Sequence, residues 1–151
     1  MISKKTKYAL HALIHLAKNS NKAPVLISTI AKKEKMPQKF LEAILLDLKN
    51  HGILHSKRGK GGGYLLGKSA NTITVGQIMR MFDGPLAPVS CVSRSAYHRC
   101  QECKNEQHCP IRLVMKDVRD AMSKILDQTT LADMIEKSEN SQNKDLLSFH
   151  I

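Results

Sequence analysis

Four glycines within five positions, Gly59 and Gly61 to Gly63, stand between two short apolar runs and limit what this chain can fold into. Ile53-Leu54-His55-Ser56 and Tyr64-Leu65-Leu66 are long enough for strands and too short for helices. A glycine-rich tip between them closes a hairpin. Lys57, Arg58 and Lys60 put three cations on that tip. Such a loop can approach a sugar-phosphate backbone closely. Gly62 to Ser69 also spells the nucleotide-binding pattern G-x4-G-K-S. Its interior reads as strand, however, and no alternating β/α pattern surrounds it.

What precedes the hairpin is helical. Tyr8, Leu10, Ala12, Leu13, Leu16 and Ala17 recur at helical spacing and predict a helix over 5–18. Asn19 to Pro24 reads as a polar turn. Ser28 is placed to cap a short helix ending near Glu34. Met36-Pro37 breaks it, and Pro37 suits the first turn of a further helix to Asn50. Phe40, Leu41, Ile44, Leu45 and Leu48 form the apolar stripe of that third helix, and Gly52 stops it. Two helices, a break, a third helix and a basic hairpin make a winged helix-turn-helix.

Charge agrees with that architecture. Of a formal net charge of +11, residues 1–68 carry fourteen Lys/Arg against three Asp/Glu, and residues 69–151 carry ten of each. A polyanion should dock on the first half, and double-stranded DNA fits. In a helix-turn-helix the third helix enters the major groove by its N-terminal end. Gln38 and Lys39 would then reach base edges, and Glu42 could accept from a cytosine amine. Thr29 and Lys32 would lie along passing phosphates. Arg58 suits a narrow minor groove, with Lys57 and Lys60 on phosphates.

The second half differs. Thr74 can cap a helix through Phe82, stopped by Asp83-Gly84-Pro85. Residues 84–109 show no periodicity and hold all four cysteines, as Cys91-x8-Cys100-x2-Cys103-x5-Cys109. Thiolates on an irregular segment can converge on one centre, and iron–sulfur clusters and structural zinc both use four such ligands. Cys109 precedes Pro110, which opens a long helix to about Asp127. The positive end of that helix favours thiolate, and Arg94, Arg99 and Lys104 act in the same direction. Ile111, Val114, Met115, Val118, Met122 and Ile125 line one stripe of the helix, which suits a homodimer. A shorter helix follows Thr130 to about Lys137, and 139–151 reads as a flexible polar tail. The expected fold is thus mainly α with a small β-hairpin wing. Its parts are a DNA-binding domain over 1–83, a cysteine loop over 84–109 and dimerisation helices over 110–138.

These residues carry a resemblance. From Met1 to about Asp133 the chain resembles the Rrf family of winged helix-turn-helix transcriptional regulators, the IscR, NsrR and CymR type. The match rests on Lys7-Tyr8-Ala9-Leu10, Phe40-Leu41-Glu42, Gly52-Ile53-Leu54, and the run from Ser56 to Leu66. The resemblance implies a homodimer that binds a palindromic operator. In several members it also implies an iron–sulfur cluster, 2Fe–2S or 4Fe–4S, held by three cysteines and one further ligand. Cys91, Cys103 and Cys109 match the family's cysteines, and Cys100 is extra or is itself the fourth ligand. Where IscR-like members have a histidine three residues after the last cysteine, this chain has Arg112. Where NsrR-like members have an acidic residue in the first helix, it has Lys7. His11, one turn further on, is the possible fourth ligand, supplied across the dimer.

The resulting expectation is a cytoplasmic DNA-binding repressor that responds to cluster or redox state. No apolar run approaches the roughly 20 residues needed to cross a bilayer, and no membrane partner is expected. A zinc-stabilised regulator without sensing is the alternative. A small iron–sulfur electron-transfer protein would leave the basic hairpin without a task. No nucleophile–base pair or acidic dyad marks an enzyme.

Overall fold

The computed structural model describes residues 1–19 and 23–148. Part of the predicted polar turn, 20–22, and the last three tail residues, 149–151, lie outside the described residues. Within them, six α-helices and one two-stranded sheet follow the order α1 Lys4–Lys18, α2 Ile27–Lys33, α3 Gln38–Asn50, β1 Leu54–Lys57, β2 Gly63–Leu66, α4 Val75–Asp83, α5 Pro110–Gln128 and α6 Leu131–Ser148. A single 3-10 turn, Ser90–Val92, interrupts the segment before α5.

The core forms where apolar periodicity predicts it, except at Phe40, which is 40% exposed and packs edge-on against Tyr8 at the rim. Leu13 and Leu16 of α1, Ile30 of α2, and Leu41, Ile44, Leu45 and Leu48 of α3 are almost wholly excluded from water. Each buried Leu or Ile contributes about 1.5–3 kcal/mol of transfer free energy. Ala9 and Ala12 let neighbouring backbones approach α1 closely. Ile53, Leu54, Ile73 and Ile78 extend the cluster beneath the hairpin and α4.

Local signals set the element ends. Ser3 caps α1 by accepting the Thr6 N–H at 3.1 Å, and Thr74 caps α4 by accepting that of Gln77. Ser28 does not cap α2. It lies inside the helix, and Leu26 occupies the cap position with no side-chain bond. The start is fixed instead by backbone: Val25 and Tyr64 exchange two N–H···O bonds of 2.8 Å. This bridge ties the hairpin to the segment leading into α2. Gly63 permits it. A Cβ there would collide with the Val25 carbonyl, and its φ of +141° is one L side chains rarely adopt.

The hairpin pairs Leu54 with Leu66 and Lys57 with Gly63, antiparallel. Half of the segment matching the nucleotide-loop spelling, Gly63–Leu66, is therefore β2. The largest departure from expectation is α6, which runs to Ser148 instead of ending near Lys137. Residues 139–148 are thus helical, not a flexible tail. No Gly or Pro interrupts 131–148, so nothing breaks the helix where its apolar periodicity fades. Leu131, fully buried, joins its first turn to the core. By contrast α5 buries no residue, and Ile111, Val114 and Ile125 are 65%, 56% and 64% exposed.

Candidate nucleic-acid interface and cysteine loop

The turn between α2 and α3 places α3 on the surface with its N-terminus forward. Met36 donates to Ala31 at 2.9 Å across this turn, and Lys35 takes the left-handed φ of +52°. Leu41, Ile44, Leu45 and Leu48 face inward, which leaves Gln38, Lys39 and Glu42 exposed. Beside them, the wing and the start of α2 enclose a groove of about 480 Å³. Gln38, Lys49, Lys57, Arg58, Ser28 and Tyr64 are among its walls.

All eight residues expected to face DNA, Thr29, Lys32, Gln38, Lys39, Glu42, Lys57, Arg58 and Lys60, are exposed. Gln38, Lys57 and Arg58 share the groove; the other five do not line it. Gln38 and Glu42 do not stand apart as independent readers. The Gln38 amide donates to the Glu42 carboxylate at 3.3 Å, one turn along α3. Lys49 and Ser28 are groove residues the sequence reading missed. The signal for Lys49 was its distance from Gln38: eleven residues are three helical turns, which returns it to the same face.

The cysteines divide. Cys91 lies in the 3-10 turn and is only 8% exposed. Cys100, Cys103 and Cys109 are half-buried. Cys109 occupies the N-cap of α5, with Pro110 as the first helical residue. The backbone N–H groups of Arg112 and Ile111 at this helix start hold its thiol pKa below the ordinary value, helped by the neighbouring Cys103. Partial desolvation and the neighbouring Cys109 push the Cys103 thiol up.

Arginines moor this loop to α5. Arg112 Nε donates to the Cys91 carbonyl at 3.3 Å, and Arg119 Nη1 to the Val92 carbonyl at 2.6 Å. Arg119 and Arg94 both pair with Asp120, at 2.6 and 2.9 Å. Arg94 is therefore engaged with a carboxylate and is not a free positive charge beside the thiols.

The family described as Rrf2, an iron-dependent transcriptional regulator, matches residues 2–137. The chain belongs to the Rrf2 family. An rrf2-like HTH-type transcriptional regulator of Rhodobacter capsulatus is 41% identical over 138 residues, 89% of this chain and 92% of its own length. Among solved structures, CymR, the global cysteine regulator of B. subtilis, superposes with a TM-score of 0.76 at 33% identity, over 91% of this chain and 97% of its own. The T. potens IscR superposes with a TM-score of 0.73 at 26% identity, over 94% of this chain and 90% of its own. This Rrf2 protein is accordingly a DNA-binding transcriptional regulator with the winged-helix fold, and its relatives are not enzymes. Among the described residues no helix is long and apolar enough to cross a membrane.

An iron–sulfur or zinc centre needs its donors gathered around one point. Among the described residues of this Rrf2 protein, no three His, Cys, Asp or Glu groups are so gathered. Cys103, Cys100 and Cys109 are half-buried on the loop, whereas the Cys91 segment is held against α5 through its carbonyl. As placed, the thiols do not fit a four-ligand centre. His11 is 62% exposed and faces Glu34 at 3.7 Å. The same carboxylate takes His15 at 3.1 Å, which turns His11 toward the α2 end of its own chain.

Proposed function

We propose that this Rrf2 protein is a cytoplasmic, homodimeric repressor of a palindromic operator, and that the chemical state of its cysteine loop sets its operator affinity. The observation that carries the DNA reading is the groove in which Gln38 of α3 meets Lys49, Lys57 and Arg58. A major-groove helix and a cationic wing on one concave face suit a duplex. In this reading Gln38, Lys39 and Glu42 address base edges, with the Gln38–Glu42 pair acting as one unit. Thr29, Lys32, Lys57 and Lys60 take phosphates, and Arg58 enters the minor groove.

The exposed stripe of α5 supports dimerisation, because Ile111, Val114, Val118 and Ile125 remain exposed among the described residues. Two reading heads on such a dimer would address half-sites about one helical turn, roughly 34 Å, apart. The loop lies between the reading head and α5, so a change in its state biases how the two heads are aimed. Thiol oxidation is one such change. Ligation of an iron–sulfur cluster by Cys91, Cys100, Cys103 and Cys109 is a second, supported by the family's description as iron-dependent. It would require Cys91 to leave its seat beneath α5.

Selection from random duplexes, followed by anisotropy titrations, tests this. An inverted repeat with two half-sites one turn apart is expected. Protein purified without oxygen and then stripped with chelator should bind that repeat with a different affinity. Equal affinities in all loop states would remove the sensing claim. Failure to bind duplex in any state would remove the regulator's DNA reading itself.

A further inference from the structure

Away from the wing and the cysteine loop, a cavity of about 520 Å³ opens between the ends of α1 and α2 and the first turns of α6. A volume of that order takes a small molecule. Its walls carry charge of both signs. Lys18 and Lys33, both exposed, supply two ammonium groups, and Glu34 supplies a carboxylate. Among the described residues neither lysine pairs with an acidic side chain. Ile14 and Met134 add apolar surface that continues into the core. The Glu34 carboxylate is held in place: its Oε1 lies 3.1 Å from Nδ1 of His15, a residue only 7% exposed. The Glu34 side chain itself is 26% exposed. A carboxylate offers roughly four acceptor sites, so several remain open to the cavity. The C-terminal end of α1 also points here, and the negative end of a helix favours a cation.

We propose that this cavity is an effector site for a free aliphatic α-amino acid. The ammonium group of the amino acid binds Glu34, its carboxylate binds Lys18 and Lys33, and its side chain lies against Ile14 and Met134. A simple anion would face the Glu34 carboxylate in repulsion. A simple cation would face two lysines. A zwitterion with an apolar tail satisfies every wall, and each of its charge-assisted hydrogen bonds is of the strong kind.

The position of the site gives occupancy a consequence, which rests on the DNA reading above. Glu34 closes α2, and Lys35 and Met36 lead from it directly into α3. Met134 and the cavity-lining Ser138 belong to α6, whose Leu131 is fixed in the core. A bound amino acid touches both sides and restrains the turn that aims α3. Amino acid and operator are then coupled, each changing the other's affinity by the same factor. The cysteines take no part.

The test is calorimetric titration of the full chain with L-leucine, in chelator so that no metal carries the signal. Saturable binding of one L-leucine per chain is expected. 4-Methylpentanoate lacks the ammonium and L-leucinamide lacks the carboxylate. Each should bind about 10- to 100-fold more weakly. Glu34→Gln should weaken L-leucine by a similar factor, as should Lys18→Met combined with Lys33→Met, with folding checked by circular dichroism. Ser138→Trp, at an exposed position of α6, fills the cavity without touching the core and should abolish binding even if a charge variant fails to fold. No binding of L-leucine, equal binding of all three probes, or full binding by Ser138→Trp would overturn the site. Anisotropy titration of operator duplex with and without L-leucine should show a shift in affinity of about fivefold or more. Unchanged operator affinity in protein that binds L-leucine would overturn the effector role. Protein that binds L-leucine but no duplex in any state would uphold the site and refute the DNA reading instead.

Discussion

Replacing Gly63 by Ala should destabilise the protein more than the same replacement at Gly59. At Gly63 two penalties coincide. Its φ of +141° is strained for any L side chain, and a Cβ would strike the Val25 carbonyl. Backbone strain of that kind costs about 1–3 kcal/mol. Relief of the collision requires the hairpin to move off Val25, which breaks two hydrogen bonds of 2.8 Å. Those are worth about 0.5–1.5 kcal/mol each. At Gly59 the φ is +86° but a Cβ meets nothing within 4 Å, so only strain applies. That amounts to about 1–2 kcal/mol. The difference between the two variants is then about 1–3 kcal/mol, or roughly 3–10 °C in Tm for a domain of this size. Thermal unfolding followed by circular dichroism measures it. Hydrogen exchange locates it, because the Val25 and Tyr64 amides should lose protection in Gly63→Ala and keep it in Gly59→Ala. Equal melting temperatures, or full protection of both amides in Gly63→Ala, would refute the claim that this glycine is needed for close approach.

Lys57→Ala and Lys60→Ala should each lower the slope of log K against log salt by about 0.9 for every phosphate left without its cation, with similar effect on all duplexes. Gln38→Ala should instead relax preference at one base pair, by about 1–3 kcal/mol, as competition titrations would show. Val114→Glu, on the exposed stripe of α5, should give monomers in sedimentation equilibrium with little change in far-ultraviolet circular dichroism. Asp127 is held below the usual carboxylate range by its two bonds to Arg80, at 2.5 and 2.8 Å. A lowered folded-state pKa stabilises above the unfolded value, and that contribution disappears as pH falls through the folded one. Asp127→Asn should therefore cost up to about 1 kcal/mol at neutral pH, a small figure because both partners are exposed. Acid titration of Tm should show the gap to the parent closing below the ordinary carboxylate pKa.

The parts of this fold that were legible in the sequence are those fixed by local rules. Leu41, Ile44, Leu45 and Leu48 announce α3 because only a helix aligns them. The 59–63 glycines announce the hairpin, and Pro110 announces both the start of α5 and the N-cap placement of Cys109. What was not legible depends on partners distant in sequence. Glu34, at the end of α2, collects His11 and His15 from α1, and no local pattern encodes that meeting. Ser28 had the right chemistry for a cap, but the Val25–Tyr64 bridge starts α2 ahead of it, and Ser28 falls inside the helix. The polar length of α6 offered no periodicity to read. At the site, four cysteines in one loop were plain, but the burial of Cys91, apart from the half-buried Cys100, Cys103 and Cys109, goes with bonds from Arg112 and Arg119, which lie on another element.

The far end of α5 is fastened as well. Val75 donates to the Thr129 carbonyl at 2.9 Å and Leu131 to that of Ile73 at 3.0 Å, so the backbone just past the helix is stitched to the strand-like approach to α4. With 19 residues, α5 is a beam about 28 Å long, anchored at its C-terminal foot. Such a beam cannot slide along its axis without tearing those bonds, but it can pivot. A displacement of about 1 Å at the Cys109 end tilts it by roughly 2°, and in a symmetric pair the two tilts add.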